Sequence, residues 1–306
     1  MPLDPTIAQL LEMGRDLPKM RDMSIADARA SMLARVAPLA PLAPADVATH
    51  DLSITTGSGP LPIRLYRPQG SEGPLPVVVW LHGGGWVVGD IESHDGLCRY
   101  LAKAGPLLVV SVDYRLAPEA RSPAQQQDTL AALHWTAANI ATHGGNPERI
   151  IVGGDSAGGN LAALAAIAIR DFGGPKLAGQ LLVYPVTDYP TDSRASYAPD
   201  ADYGLSKEDM EWFWNLWLAE GDSVDASTAP LRAENLPNLP PAYVVTAEYD
   251  VLKDEGDEYA AALSAAGTTV THDCVPGAIH GFFSIAAMVP IAADAIQRAG
   301  RWAATV

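Results

Sequence analysis

The chain has 306 residues, 48% of them hydrophobic and 18% charged, which is enough to bury a large core in one or two domains. With 36 Asp and Glu against 20 Lys and Arg, the formal net charge is -16; no Lys/Arg cluster exists, so nucleic acid is excluded as a partner and an anionic membrane surface is disfavoured. Cys98 and Cys274 sit in apolar settings and read as buried free thiols; no basic-then-apolar leader and no apolar run of membrane-spanning length is visible, so the expected location is cytoplasmic.

Residues 1–45 form a helical segment of separate character. Asp4 can cap a helix with Pro5 at its first position, and Ser24 with Asp27 three later can cap a second before Pro38, Pro41 and Pro44 break it. The methionines here, Met13, Met20, Met23 and Met32, suit either plain packing or a soft lid over a ligand. Val47–Thr55 and Leu61–Arg67 partly alternate, as antiparallel edge strands with one wet face do. Val77–Leu81, Leu107–Val112 and Ile150–Val152 are apolar runs expected as buried strands, with helices between them. Leu181–Tyr184, Tyr243–Thr246 and Thr268–Asp273 continue the strands, and helices near Asp257–Ala266 and Ile291–Ala303 complete the alternation. Such repetition predicts a mostly parallel sheet covered on both faces.

One stretch interrupts the pattern. No strand is evident between Tyr184 and Tyr243; instead Ser206 and Asp209 form a capping box for a helix bearing Trp212, Phe213, Trp214, Leu216 and Trp217, expected to stop at Gly221. An excursion leaving a strand's C-terminal end lies above the sheet, where ligands of α/β proteins bind. The expectation is a small cap made of residues 1–45 and 190–235, set on a core of 46–189 and 236–306. Its Trp212, Trp214 and Trp217 read either as ordinary core or as the roof of an apolar pocket.

The chemistry centres on Gly154-Asp155-Ser156-Ala157-Gly158, between an apolar strand and a long apolar helix. A serine at such a turn points out over the sheet on a strained backbone. It needs a base, because an unassisted hydroxyl is a weak nucleophile. Of seven histidines, His280 lies in a glycine-flanked loop between the last strand and the last helix, at the same end of the sheet as Ser156. Asp250 follows a strand at that end and is the preferred orienting carboxylate, with Glu248 and Asp254 as competitors. The order Ser156, Asp250, His280 fits α/β hydrolases and differs from chymotrypsin and subtilisin. After Val77–Leu81 comes His82-Gly83-Gly84-Gly85-Trp86, where consecutive glycines let backbone N–H groups converge on an anion beside that of Ala157. His82 and Gly83 are read as support for this loop. Neither a dinucleotide, Walker A nor zinc-protease pattern occurs, so no metal or organic cofactor is expected.

Together, the HGGGW at 82–86, Asp113-Tyr114-Arg115-Leu116-Ala117-Pro118-Glu119, GDSAGG at 154–159, the Asp250 segment and Ile279-His280-Gly281-Phe282 resemble the bacterial hormone-sensitive-lipase-like esterases. The resemblance spans nearly the whole chain. It implies an α/β-hydrolase fold with eight strands, the second antiparallel, and a small helical cap. It also implies a serine carboxylesterase for small-molecule esters of short to medium acyl chain. The family pattern places the nucleophile at Ser156, the acid at Asp250, the base at His280, and the oxyanion donors at Gly84, Gly85 and Ala157. Trp86, Trp212, Trp214, Trp217, Ile279 and Phe282 are the expected pocket residues. Many members pair through the sheet edge, so a homodimer is an expectation of the resemblance. Val251 and Arg121-Ser122-Pro123 depart from the usual family residues without touching these positions. A deacetylase or amidase of small acylated compounds, and a non-catalytic receptor on the same fold, are the alternative functions.

Overall fold

A computed structural model describes residues 2–198 and 203–306. Residues 199–202 of the expected cap range therefore lie outside the described residues. Eight strands form one sheet in the order β1-β2-β4-β3-β5-β6-β7-β8. They are β1 (Val47–Thr56), β2 (Gly59–Pro68), β3 (Leu75–Leu81), β4 (Leu108–Val112), β5 (Gly145–Asp155), β6 (Leu177–Val183), β7 (Ala242–Tyr249) and β8 (Val270–Ile279). β2 runs antiparallel to both β1 and β4, and the pairings from β4 across to β8 are parallel. The mostly parallel α/β sheet expected from the alternation is thus present.

The central strands are apolar throughout because both faces are covered. Along β3, Val77, Val79 and Leu81 pack on one side with α4 (Ala124–Asn139), α5 (Ala157–Phe172) and α7 (Lys253–Ala265). Val78 and Trp80 point the other way, into a core shared with α3 (Asp95–Ala104) and α8 (Pro290–Ala303). This strict alternation is the two-residue period of a pleated strand.

The N-terminal segment folds as α1 (Pro5–Gly14) and α2 (Ile25–Val36), followed by a 3-10 turn over Ala37–Leu42 that absorbs Pro38 and Pro41. Asp4 caps α1, accepting from the N–H groups of Thr6 and Ile7. The excursion between β6 and β7 carries α6 (Lys207–Trp217) and lacks strands among its described residues. Ser206 and Asp209 form the reciprocal capping box. α6 ends at Trp217, with Leu218 as its C-cap, and not at Gly221; Leu218 turns extended to follow Arg121, whose guanidinium holds the Asn215 and Leu218 carbonyls. β8 also runs beyond its expected end at Asp273, through Ile279, because it keeps pairing with β7 as far as Tyr249. Among the described residues, no helix is long and apolar enough to cross a membrane. Cys98 is buried, whereas Cys274 is only half-buried, and both are free thiols.

Candidate active site

Ser156 sits between β5 and α5 at φ 56, ψ -118, a left-handed backbone unusual for a non-glycine residue. The turn is held by its surroundings: Ser156 N–H donates to Val183 O at 2.8 Å, and its carbonyl accepts from Asn160 and Val186 at 3.0 and 3.2 Å. The tight crossing depends on Gly158, where any Cβ would collide with the Leu81 carbonyl of the neighbouring strand.

Ser156 Oγ lies 2.9 Å from His280 Nε2, and His280 Nδ1 lies 2.8 Å from Asp250 Oδ2. His280 follows directly on β8 rather than hanging in a free loop, which fixes the height of its ring. Tyr184, itself at φ 35, packs its ring 4.7 Å from the imidazole. The Asp250 side chain is fully buried, and its second oxygen accepts Leu252 N–H at 2.9 Å. Competing carboxylates are engaged elsewhere: Glu248 accepts from Gly277 N–H and Asp254 from Ser196 N–H, both at 2.8 Å.

The glycine turn after β3 is built to expose N–H groups. The Gly84 carbonyl accepts from Val87 and Val88 at 3.1 and 3.0 Å. In a trans peptide the following N–H points the opposite way, so Gly85 N–H is turned out of the turn. Gly84 and Gly85 take φ 113 and 58, open to glycine alone without strain. The N–H groups of Gly84, Gly85 and Ala157 donate to nothing among the described residues. That of Ala157 opens α5, where the helix dipole favours an anion.

Beside His82, Gly83 is fixed by Asp155 and His94, neither of which was expected at this turn. Its N–H donates to Asp155 Oδ1 at 3.0 Å, with His94 Nε2 beside both groups. His82 is fully buried, stacks on Tyr114 at 4.2 Å, and pairs its Nδ1 with Gly83 O at 2.8 Å. Tyr114 in turn donates its hydroxyl to His82 O at 2.7 Å. Burial pushes the His82 pKa down to about 4, and among the described residues its Nε2 has no partner to accept a second N–H. The ring is therefore a neutral anchor. Asp155 and Tyr114 lie inside motifs quoted from the sequence, so the signal for them was present; His94 carried no such signal, because only the fold brings it beside Asp155.

The expected pocket residues divide. Trp86, Trp214, Trp217 and Phe282 are fully buried, so in this structure these side chains pack rather than line an open cleft. Trp86 stacks on Trp217 with ring centroids 3.9 Å apart, and Trp214 closes the group edge-on. Phe282 packs against Tyr184 beneath His280. Trp212 keeps partial exposure and Ile279 a little. The buried apolar stripe of α6 is Met210, Phe213, Trp214 and Trp217, a helical i, i+3, i+4, i+7 face, with Leu216 only half-buried beside it.

Comparison with known proteins matches residues 78–284 to a family model described as the alpha/beta hydrolase fold. The carboxylic ester hydrolase LipN of Mycobacterium tuberculosis is 39% identical over 293 residues, covering 92% of this chain and 77% of its own. An ethyl acetate hydrolase of Pseudomonas putida is 35% identical, covering 94% of each chain. The solved structure of a hyperthermophilic esterase from the archaeon Pyrobaculum calidifontis superimposes with a TM-score of 0.93 at 37% identity, over 100% of this chain and 99% of that one.

Proposed function

Because the chain belongs to the α/β-hydrolase family of esterases and carboxylesterases, we propose that it hydrolyses esters with Ser156 as nucleophile, His280 as base and Asp250 as orienting acid. The observation that carries this reading is the unbroken pair of hydrogen bonds, 2.9 and 2.8 Å, from Ser156 through His280 to the buried Asp250. Ser156 Oγ attacks the acyl carbonyl while its proton passes to His280 Nε2. Asp250 keeps the imidazole oriented and stabilises its charge. The new oxyanion is held by the N–H groups of Gly84, Gly85 and Ala157, which need no reorganisation to receive it. His280 then gives its proton to the departing alkoxide. Water, deprotonated by the same histidine, attacks the acyl-enzyme and releases the acid. No step calls for a metal or an organic cofactor.

The chain falls in the hormone-sensitive-lipase-like branch, a placement supported by its HGGGW, GDSAGG and Ile279-His280-Gly281-Phe282 motifs. Residues 1–45 and 190–235 act as its cap. The substrate is a dissolved ester with an acyl chain of about four to eight carbons, since each buried methylene adds about 0.8 kcal/mol until a small pocket fills. Trp212 and Ile279 keep surface with which to meet that chain. One relative is named for ethyl acetate, a short ester, which supports a small substrate.

The test joins active-site labelling to a substrate series. A fluorophosphonate should label Ser156 stoichiometrically and abolish activity, and Ser156→Ala should lower kcat by about 10⁴-fold or more while keeping the fold. Activity that survives complete labelling rejects the mechanism. kcat/KM across p-nitrophenyl esters from acetate to palmitate should peak between butyrate and octanoate. A maximum at acetate with steady decline removes the acyl-pocket reading, and a maximum at palmitate with a jump on emulsion makes the protein a lipase.

A further inference from the structure

We propose that α6 is the brace of the oxyanion turn, with Trp217 and Phe213 as positioning residues; this rests on the esterase reading above. Two consecutive residues of the turn, Gly85 and Trp86, have φ of 58 and 62. For a bulky residue such as Trp86 that backbone is an outlier which persists only when its surroundings over-determine it. Those surroundings come from one face of α6. Phe213 lies so closely over Gly85 that any Cβ built there would collide with its ring. Trp217, one turn further along, stacks flat on the Trp86 indole, 3.9 Å between centroids and 7° between planes. Trp214 meets the same ring edge-on at 5.0 Å.

The brace is itself anchored to the core. Trp217 Nε1 donates to Gln125 Oε1 at 3.0 Å, and the Trp217 carbonyl accepts Ser122 N–H at 3.0 Å. The Trp86 carbonyl is taken by Ala117 N–H at 2.9 Å. Trp86 is therefore pinned by its carbonyl on one side and its ring on the other, and the Gly85 N–H before it cannot rotate away. Indole N–H groups normally find partners when buried, yet those of Trp86 and Trp214 have none among the described residues. Trp86 and Trp214 are thus held by ring packing and not by indole hydrogen bonds, while Trp217 is tied to Gln125, so the size of the ring at position 217 should decide the geometry at Gly85.

A residue that preorganises oxyanion donors acts on the transition state and leaves ground-state binding alone. The experiment compares Trp217→Leu, Trp217→Phe and wild type in kcat and KM for p-nitrophenyl butyrate. It also compares inhibition by a butyl trifluoromethyl ketone, which adds to serine and forms an oxyanion, with the matching methyl ketone, which does not add. Trp217→Leu should lower kcat by about 10- to 100-fold, with KM within about threefold; the trifluoromethyl ketone should weaken by the same factor as kcat/KM, and the methyl ketone should not. Trp217→Phe, which keeps a flat ring, should recover most of the loss. A rise in KM at constant kcat, or equal weakening of both ketones, overturns the brace. If Trp217→Leu does not fold by circular dichroism, Phe213→Leu and Phe213→Ala decide by the same ratios, with Ala the worse. Failure of wild type to be labelled at Ser156 by the fluorophosphonate rejects the esterase reading instead, so the two failures are distinguishable.

Discussion

His82 illustrates how a residue in a catalytic-looking motif can serve by staying neutral. Its ring lies in the core, stacked on Tyr114, with only Nδ1 engaged. Folding lowers its pKa from about 6.5 to about 4. An unfolded chain takes up a proton below pH 6.5 that the native ring refuses until about pH 4. The contribution of the neutral ring is therefore fully present above 6.5 and is lost as pH falls through that window. At pH 5 the loss amounts to about 2 kcal/mol. Urea unfolding of wild type and His82→Gln at pH 7 and pH 5 measures it: the wild type should lose about 2 kcal/mol more than the variant between the two. Equal losses would mean that another group carries the acid sensitivity.

At the scale of elements, α6 depends on its first turn. Asp209 accepts the Ser206 N–H at 3.0 Å and the Ser206 hydroxyl at 2.9 Å, and also pairs with Arg21 of the N-terminal segment. One carboxylate therefore starts the helix and ties it to residues distant in sequence. Asp209→Ala removes both roles and should cost about 2 kcal/mol, of which the cap alone supplies about 1. Asp209→Asn keeps a capping acceptor and should cost about half as much. Chemical denaturation of both variants checks the ratio, and identical costs would leave the Arg21 contact as the only contributor. The capping box was legible because it needs only local residues. The helix's true end at Trp217 was not, because Leu218 is drawn away by Arg121, 97 residues earlier.

Across the whole molecule, the N-terminal segment is latched to the core near the glycine turn. Arg29 on α2 donates to Val87 O at 2.9 Å and to Ala117 O at 3.0 Å, while Glu119 accepts from Nη1 at 3.0 Å and from Nη2 at 2.6 Å. Val87 follows Trp86 directly, and Ala117 is the residue that holds the Trp86 carbonyl. The turn is thus gripped by α6 through rings and by α2 through a guanidinium. Arg29→Met keeps much of the apolar stem but loses the fork, and should lower stability by about 2 kcal/mol, a fall in Tm of about 2–4 °C for a chain of this size. Calorimetry on the full chain reads this; an unchanged Tm would mean that α2 docks by apolar packing alone.

The sequence by itself determined the strand–helix alternation, the strained Ser156 turn, the glycine turn after β3 and the candidate partners Asp250 and His280. Each rests on local requirements: buried strands are continuously apolar, a sharp turn needs glycine, and reactive groups gather at the C-terminal ends of parallel strands. Tertiary structure decided the rest. β8 extends to Ile279 because β7 continues to pair with it, and that sets the height of His280. Asp155 and His94 meet at Gly83 only after β3 and β5 lie side by side. Trp212, Trp214 and Trp217 read either as core or as roof in one dimension. A helix excursion of this composition can turn its rings toward a ligand or toward the turn, and only the stacking of Trp86 on Trp217 resolves which.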